Sequence, residues 1–198
     1  MQLFLTTATP SNSVYTDESG APKYKVNTPF KLLQRTTGIS RVVEYNIPRR
    51  RSLSPDGHEV EVEEGERFAS LAHIDWHLLE SSVIRFRGRE LATRDFFRKV
   101  GWGWYGRHRV FTARDGREYK WILGALPEQL ELNDDAQILV TRYLPKKLGL
   151  LSKARKASLE VFPQFEHMLD EIMITFVYIE RLRKTKERAA RSPTLLNK

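Results

Sequence analysis

The chain has 198 residues, which allows one compact domain with a sizeable core or at most two small ones. It contains no cysteine, so disulfides, thiolate metal sites and a cysteine nucleophile are excluded. Its 33 Lys and Arg against 25 Asp and Glu give a net charge of +8, which favours anionic partners such as phosphoinositide head groups or nucleic acid and says nothing about fold.

The opening Met1-Gln-Leu-Phe-Leu5 lacks a cationic n-region and is too short an apolar run for a secretory leader. The first 162 residues read as short strands separated by turn signals. Segments 2–6, 24–28, 39–45, 70–77, 83–86 and 138–143 have the β-branched or aromatic enrichment and partial alternation of half-buried strands. Between Pro48 and Arg67 lies a polar insertion, basic at Arg49-Arg-Arg51 and acidic at Glu59, Glu61, Glu63, Glu64 and Glu66, expected to be a surface connection inside one domain. The clearest hairpin is Arg109-Val-Phe-Thr112, Ala113-Arg-Asp-Gly116, Arg117-Glu-Tyr-Lys-Trp-Ile-Leu123. There Asp115-Gly116 supplies the turn, and Tyr119, Trp121 and Leu123 share one face.

After Pro163 the pattern turns helical. In Ile172-Met-Ile-Thr-Phe-Val-Tyr-Ile179 only Thr175 is polar, so at 100° per residue the apolar side chains point in every direction. Eight helical residues span about 12 Å, against about 30 Å for a bilayer core, so no transmembrane segment is expected. A helix with no wet stripe must be surrounded by protein. The residues that follow, Arg181-Leu-Arg-Lys-Thr-Lys-Glu-Arg188, cannot do this, and the task falls to the preceding strands. The expected fold is mainly β, a closed antiparallel barrel around a C-terminal hydrophobic helix, which also removes exposed sheet edges. It forms a single domain over 1–191, with the insertion at 48–67 and a short tail at 192–198.

That combination resembles the tubby-like barrel, the class of tubby C-terminal domains, plant LURP-one-related proteins and phospholipid scramblases, in which a hydrophobic C-terminal helix threads a barrel of about twelve strands. More closely, three stretches resemble an uncharacterised family of small fungal proteins, mostly from basidiomycetes: Ile84-Arg-Phe-Arg-Gly-Arg-Glu90, Val110-Phe-Thr-Ala-Arg-Asp-Gly-Arg-Glu-Tyr-Lys-Trp-Ile-Leu-Gly124, and Ala157-Ser-Leu-Glu-Val-Phe162 through Ile174-Thr-Phe-Val-Tyr-Ile-Glu-Arg-Leu-Arg-Lys184. The likeness covers residues 68–191. It implies the barrel and transfers no site residue, because the phosphoinositide and calcium motifs of the better-known relatives have no counterpart here.

Two basic stretches are candidate binding elements. Segment 94–109 interleaves Arg94, Arg98, Lys99 and Arg107 with Trp102 and Trp104 on what reads as a glycine-rich loop, suited to head groups at a membrane interface or to stacking on bases. Segment 142–156 holds six cations and no acid, among them Lys146, Lys147, Lys153, Arg155 and Lys156, interspersed with Leu148, Leu150 and Leu151. The competing reading of the first is that Phe96, Phe97 and one Trp close the mouth of the barrel while the arginines are solvated, and that of the second is a basic strand connection. His73, Asp75 and His77 alternate on one strand face and are the one candidate metal cluster; no third His or Asp group completes it, and a wet outer face explains it as well.

No nucleophile elbow, phosphate-cradling loop, dinucleotide fingerprint or metalloprotease helix occurs, and no cofactor is expected. The charge divides into a cationic tail, an acidic insertion and a basic remainder: residues 181–198 carry seven cations and one acid, and residues 56–66 carry six acids and no base. The functional expectation is a non-enzymatic, cytoplasmic binding module, peripheral at membranes through anionic phospholipid, with nucleic-acid binding or a protein-interaction scaffold as alternatives.

Overall fold

The computed structural model describes residues 1–29, 35–43, 67–77, 80–148 and 154–191. Residues 48–66 of the polar insertion, Leu150, Leu151, Lys153 and the tail 192–198 lie outside them.

The described residues form one antiparallel sheet of 13 strands and a long C-terminal helix. The first five strands are β1 (Gln2–Leu5), β2 (Ser13–Thr16), β3 (Pro22–Asn27), β4 (Arg35–Val43) and β5 (Arg67–Trp76), each paired with its successor. The short hairpin β6 (Val83–Phe86) and β7 (Arg89–Ala92) ends this half. A single-turn helix α1 (Thr93–Phe96) leads into β8 (Arg98–Gly103) and β9 (Gly106–Thr112). Then come β10 (Glu118–Ile122), β11 (Gln129–Leu132), β12 (Leu139–Leu144) and β13 (Ser158–Val161). A 3₁₀ turn at Pro163–Met168 precedes α2 (Leu169–Arg191). The two halves are joined by the first and last strands, with Leu3 opposite Leu159 and the Met1 amino group donating to the Val161 carbonyl at 3.0 Å.

Alternation drives the burial. Tyr119, Trp121 and Leu123 all point inward, as do Leu3 and Leu5, Tyr24 and Val26, and Leu130 and Leu132. These faces meet α2, whose residues from Ile172 to Glu180 are all buried. Contacts reach the helix from strands far apart in the order. Trp121 of β10 and Tyr143 of β12 pack on Phe176, Trp76 of β5 stacks on Tyr178, and the Tyr24 hydroxyl of β3 donates to Asp170 at 2.7 Å. The sheet is thus curled about the helix. Thr175, the polar interruption in the apolar run, donates its hydroxyl to the Glu171 carbonyl at 2.7 Å and so needs no partner from the strands.

The expected closure by hydrogen bonds is not present among the described residues: the order runs from β7 at one edge to β8 at the other. Register explains the gap. The β8 ladder begins at Arg98 opposite Val110, so Phe111 and Thr112 of β9 extend beyond it with no strand partner on that side. The chain crosses from β7 to β8 through α1, anchored by Thr93 N–H donating to the Ser82 carbonyl at 2.8 Å.

Register also assigns the loops to two ends. The turns at 17–21, 87–88, 113–116 and 133–138 and the start of α2 share the end at which the helix enters. The hairpin tip at 103–106, the connection 123–128 and the described parts of the connections that follow β5 and β12, residues 77, 80–82, 145–148 and 154–157, share the end at which it leaves.

The strands read at 2–6, 24–28, 39–45, 70–77, 83–86 and 138–143 overlap β1, β3, β4, β5, β6 and β12, residues 44–45 lying outside the described residues, and the 109–123 hairpin is β9–β10. The loop expected at 94–109 is instead α1 followed by the hairpin β8–β9. Its glycines serve the backbone: Gly101 and Gly106 have φ of 49° and 109°. A Cβ at Gly103 would lie 2.2 Å from the Leu123 carbonyl oxygen, so this glycine permits a close approach between neighbouring chains.

Candidate functional site

The exit end gathers most of the exposed large apolar side chains. Trp102 and Trp104 at the β8–β9 tip are each 80% exposed, Leu126 in the 123–128 connection 66%, and Leu148 in the 145–157 connection 76%. The only other exposed large apolar residue among those described is Ile138, at the opposite end. The tip is held from beneath. Tyr105 N–H donates to the Leu123 carbonyl at 3.0 Å, and the Arg183 guanidinium of α2 lies over the Tyr105 ring at 4.8 Å. With Tyr105 tied inward, the flanking tryptophans are presented to solvent on a supported hairpin.

At the same end, the described parts of the β12–β13 connection, 145–148 and 154–157, run antiparallel to each other. Lys147 and Arg155 exchange backbone hydrogen bonds at 2.9 and 3.1 Å, and Arg155 donates to the Pro145 carbonyl at 3.3 Å. The two limbs enclose a shallow cleft of about 250 Å³ lined by Lys146, Lys147, Leu148, Ala154, Arg155 and Lys156. Arg155 shapes the cleft, while Lys146, Lys147 and Lys156 are exposed around it.

The helix adds charge at the same end. The buried Glu128 accepts from Arg183 at 3.4 Å, and Lys184 lies 2.8 Å from the buried Glu180. Burial raises the Glu128 carboxyl; Arg183 opposes that rise and nearby Glu180 adds to it. Arg183 and Lys184 therefore compensate interior carboxylates, and the cations that face outward begin at Lys186 and Arg188.

The remaining sequence candidates are distributed differently. Arg94 is exposed on α1, 3.6 Å from Asp95. Arg98 lies on the outer wall with one guanidinium nitrogen 2.7 Å from each Glu118 carboxylate oxygen, so it is neutralised within the sheet. Lys99 is exposed on the same strand, and Arg107 donates to its carbonyl at 2.7 Å. The stretch is not one cationic patch; its tip carries the tryptophans and its wall carries paired arginines. His73, Asp75 and His77 project outward as expected, but each has a protein partner. Asp75 pairs with Arg85 and accepts from Thr36 at 2.7 Å, His73 is 3.0 Å from the Ser70 hydroxyl, and His77 is 3.0 Å from the Ser81 carbonyl. No group of three His, Asp or Glu able to hold a metal occurs among the described residues.

Sequence reasoning missed Leu126 and the start of the helical tail as members of this end. Gly124-Ala-Leu-Pro127 carries the signal of a lone leucine in a turn. The tail belongs because of the direction in which α2 traverses the sheet, which no local pattern encodes.

No helix among the described residues is long and apolar enough to cross a membrane. The chain belongs to the family described as "Family of unknown function (DUF6593)", which it matches over residues 8–185. No curated protein and no solved structure matches it.

Proposed function

We propose that this protein is a non-enzymatic binding module that docks on anionic phospholipid through the exit end of its sheet. The observation that carries the reading is that exposed Trp102, Trp104, Leu126 and Leu148 share this end of the sheet with exposed Lys146, Lys147, Lys156, Lys186 and Arg188. Tryptophan is favoured at head-group depth, and each lysine or arginine near an anionic leaflet contributes about 1 kcal/mol. The cleft between Lys146 and Lys156 offers a place for a phosphate. The curl of the sheet about α2 supports reading the fold as the helix-filled, tubby-like barrel that the sequence resembles.

The test is co-sedimentation with phosphatidylcholine vesicles, with and without phosphatidylserine or phosphoinositide, beside a gel shift on single-stranded RNA. The expected result is binding to the anionic vesicles alone, weakened about tenfold or more by Lys146→Gln/Lys147→Gln and by Trp102→Ala/Trp104→Ala. An RNA shift without vesicle binding would replace this reading with nucleic-acid recognition, and binding to neither would favour a protein-interaction scaffold.

A further inference from the structure

The gap between the sheet edges opens into a cavity of about 660 Å³ that reaches the central helix. Its walls come from both sides of the gap and its floor from α2: Ile84, Phe86, Leu91, Phe96, Phe111 and Ile174 supply an apolar interior. The volume falls within the range of about 300–1,000 Å³ typical of small-ligand pockets. The cavity exists because of the register described above. Phe111 and Thr112 outrun β8, and the β6–β7 hairpin faces them without hydrogen-bonding to them.

Charge at the rim is unbalanced. Arg87, Arg89 and Arg114 line the cavity against one acid, Glu171. Arg114 is 3.8 Å from Glu171, and Arg87 is 3.8 Å from Asp170, a carboxylate already bonded by Arg41 at 3.0 Å. Arg89 has no ion pair or hydrogen bond among the described residues. The Arg87 guanidinium lies over the Phe86 ring at 4.9 Å, which places it at the boundary between apolar wall and solvent. A single apolar slot with an excess of guanidinium at its edge is complementary to a molecule with one hydrocarbon chain and one anionic head.

We infer that this gap is a binding site for a single-chain anionic amphiphile of the fatty-acid class, its chain lying between Leu91, Phe111 and Ile174 and its head group held by Arg89 and Arg114. The site lies toward the end at which α2 enters, away from Trp102 and Trp104, and does not depend on the phospholipid-docking reading.

The experiment is a fluorescence titration with cis-parinaric acid and its methyl ester, on wild type, Arg89→Ala/Arg114→Ala and Leu91→Trp, each checked for a cooperative thermal melt. The acid should bind saturably, and the uncharged ester about tenfold more weakly. The arginine pair should cost the acid about tenfold and leave the ester unchanged, and Leu91→Trp, which fills the slot, should weaken both. If Leu91→Trp does not fold, the arginine pair, at exposed positions, decides the matter. Absence of saturable binding, or equal binding of acid and ester by wild type and the arginine variant, would overturn the inference. The two sites separate cleanly: Trp102→Ala/Trp104→Ala should retain the probe, and Arg89→Ala/Arg114→Ala should retain anionic vesicles.

Discussion

Asp115 shows how a single side chain fixes a turn on which the sheet depends. It sits in the β9–β10 connection, where Gly116 adopts φ of 80°. It accepts from the Tyr119 hydroxyl at 2.6 Å, the Arg117 guanidinium at 2.8 Å and the Arg117 backbone N–H at 3.1 Å. Burial alone would raise this carboxyl, but those hydrogen bonds and the Arg117 charge hold it down at about 2. A depressed carboxyl contributes stability above its unfolded pKa of about 3.9 and loses it as pH falls through the folded value. Asp115→Asn is therefore expected to cost about 1–2 kcal/mol at neutral pH, read from urea unfolding. The gap from wild type should close between about pH 4 and pH 2. Asp17, also held down at about 2, is common to both proteins and cancels in the comparison. A gap that stays constant across that window would show that the charge of Asp115 is not what holds the turn.

At the scale of elements, α2 divides into a buried half and a solvated half. Its 23 residues span about 34 Å, of which Ile172–Glu180 are enclosed. The first turn carries Asp170 and Glu171 and the last Arg188 and Arg191, each sign at the end that the helix dipole favours. Truncation after Lys184 keeps both compensated acids, since Arg183 still meets Glu128 and Lys184 still meets Glu180. The expected outcome is a cooperative melt within a few degrees of wild type, as for exposed changes of under about 0.5 kcal/mol. Anionic-vesicle affinity should nonetheless fall about tenfold or more with the loss of Lys186, Arg188 and Arg191. Loss of cooperativity would mean that the tail is part of the core.

Elements also show what the sequence discloses. The β9–β10 hairpin was legible because Asp115-Gly116 marks the turn and period-two burial marks the strands. The enclosure of α2 was legible because its apolar residues leave no wet stripe. The β8–β9 hairpin read as a loop because Gly101, Gly103 and Gly106 look like flexibility when they actually serve left-handed backbone and close approach. Among the four-residue strands, β1 and β6 were legible because three of their four residues are apolar, whereas β2, β7, β11 and β13 have two each, too few at that length to mark a strand. The cavity was invisible, since it follows from where β8 begins to pair with β9 and from no residue type.

For the whole molecule, the net charge of +8 now has a geometry. Many arginines of the wall are spent on partners within the sheet: Arg85 with Asp75 and Glu90, Arg98 with Glu118, and Arg142 with Glu160 at 2.5 Å. The outward-facing cations that share an end with exposed tryptophan and leucine are those of the exit end, the face proposed to dock on anionic membrane.

The most direct test of that docking is tryptophan fluorescence with anionic vesicles containing brominated phosphatidylcholine. Trp121 is fully buried and the half-buried Trp76 is covered by Tyr178 and Arg181, whereas Trp102 and Trp104 face solvent, so insertion at the exit end is reported chiefly by the latter pair. A blue shift and quenching are expected on vesicle addition, both much reduced in Trp102→Phe/Trp104→Phe. Vesicle-bound protein whose Trp102 and Trp104 still emit as in water and escape the bromine quencher would contradict docking at this end.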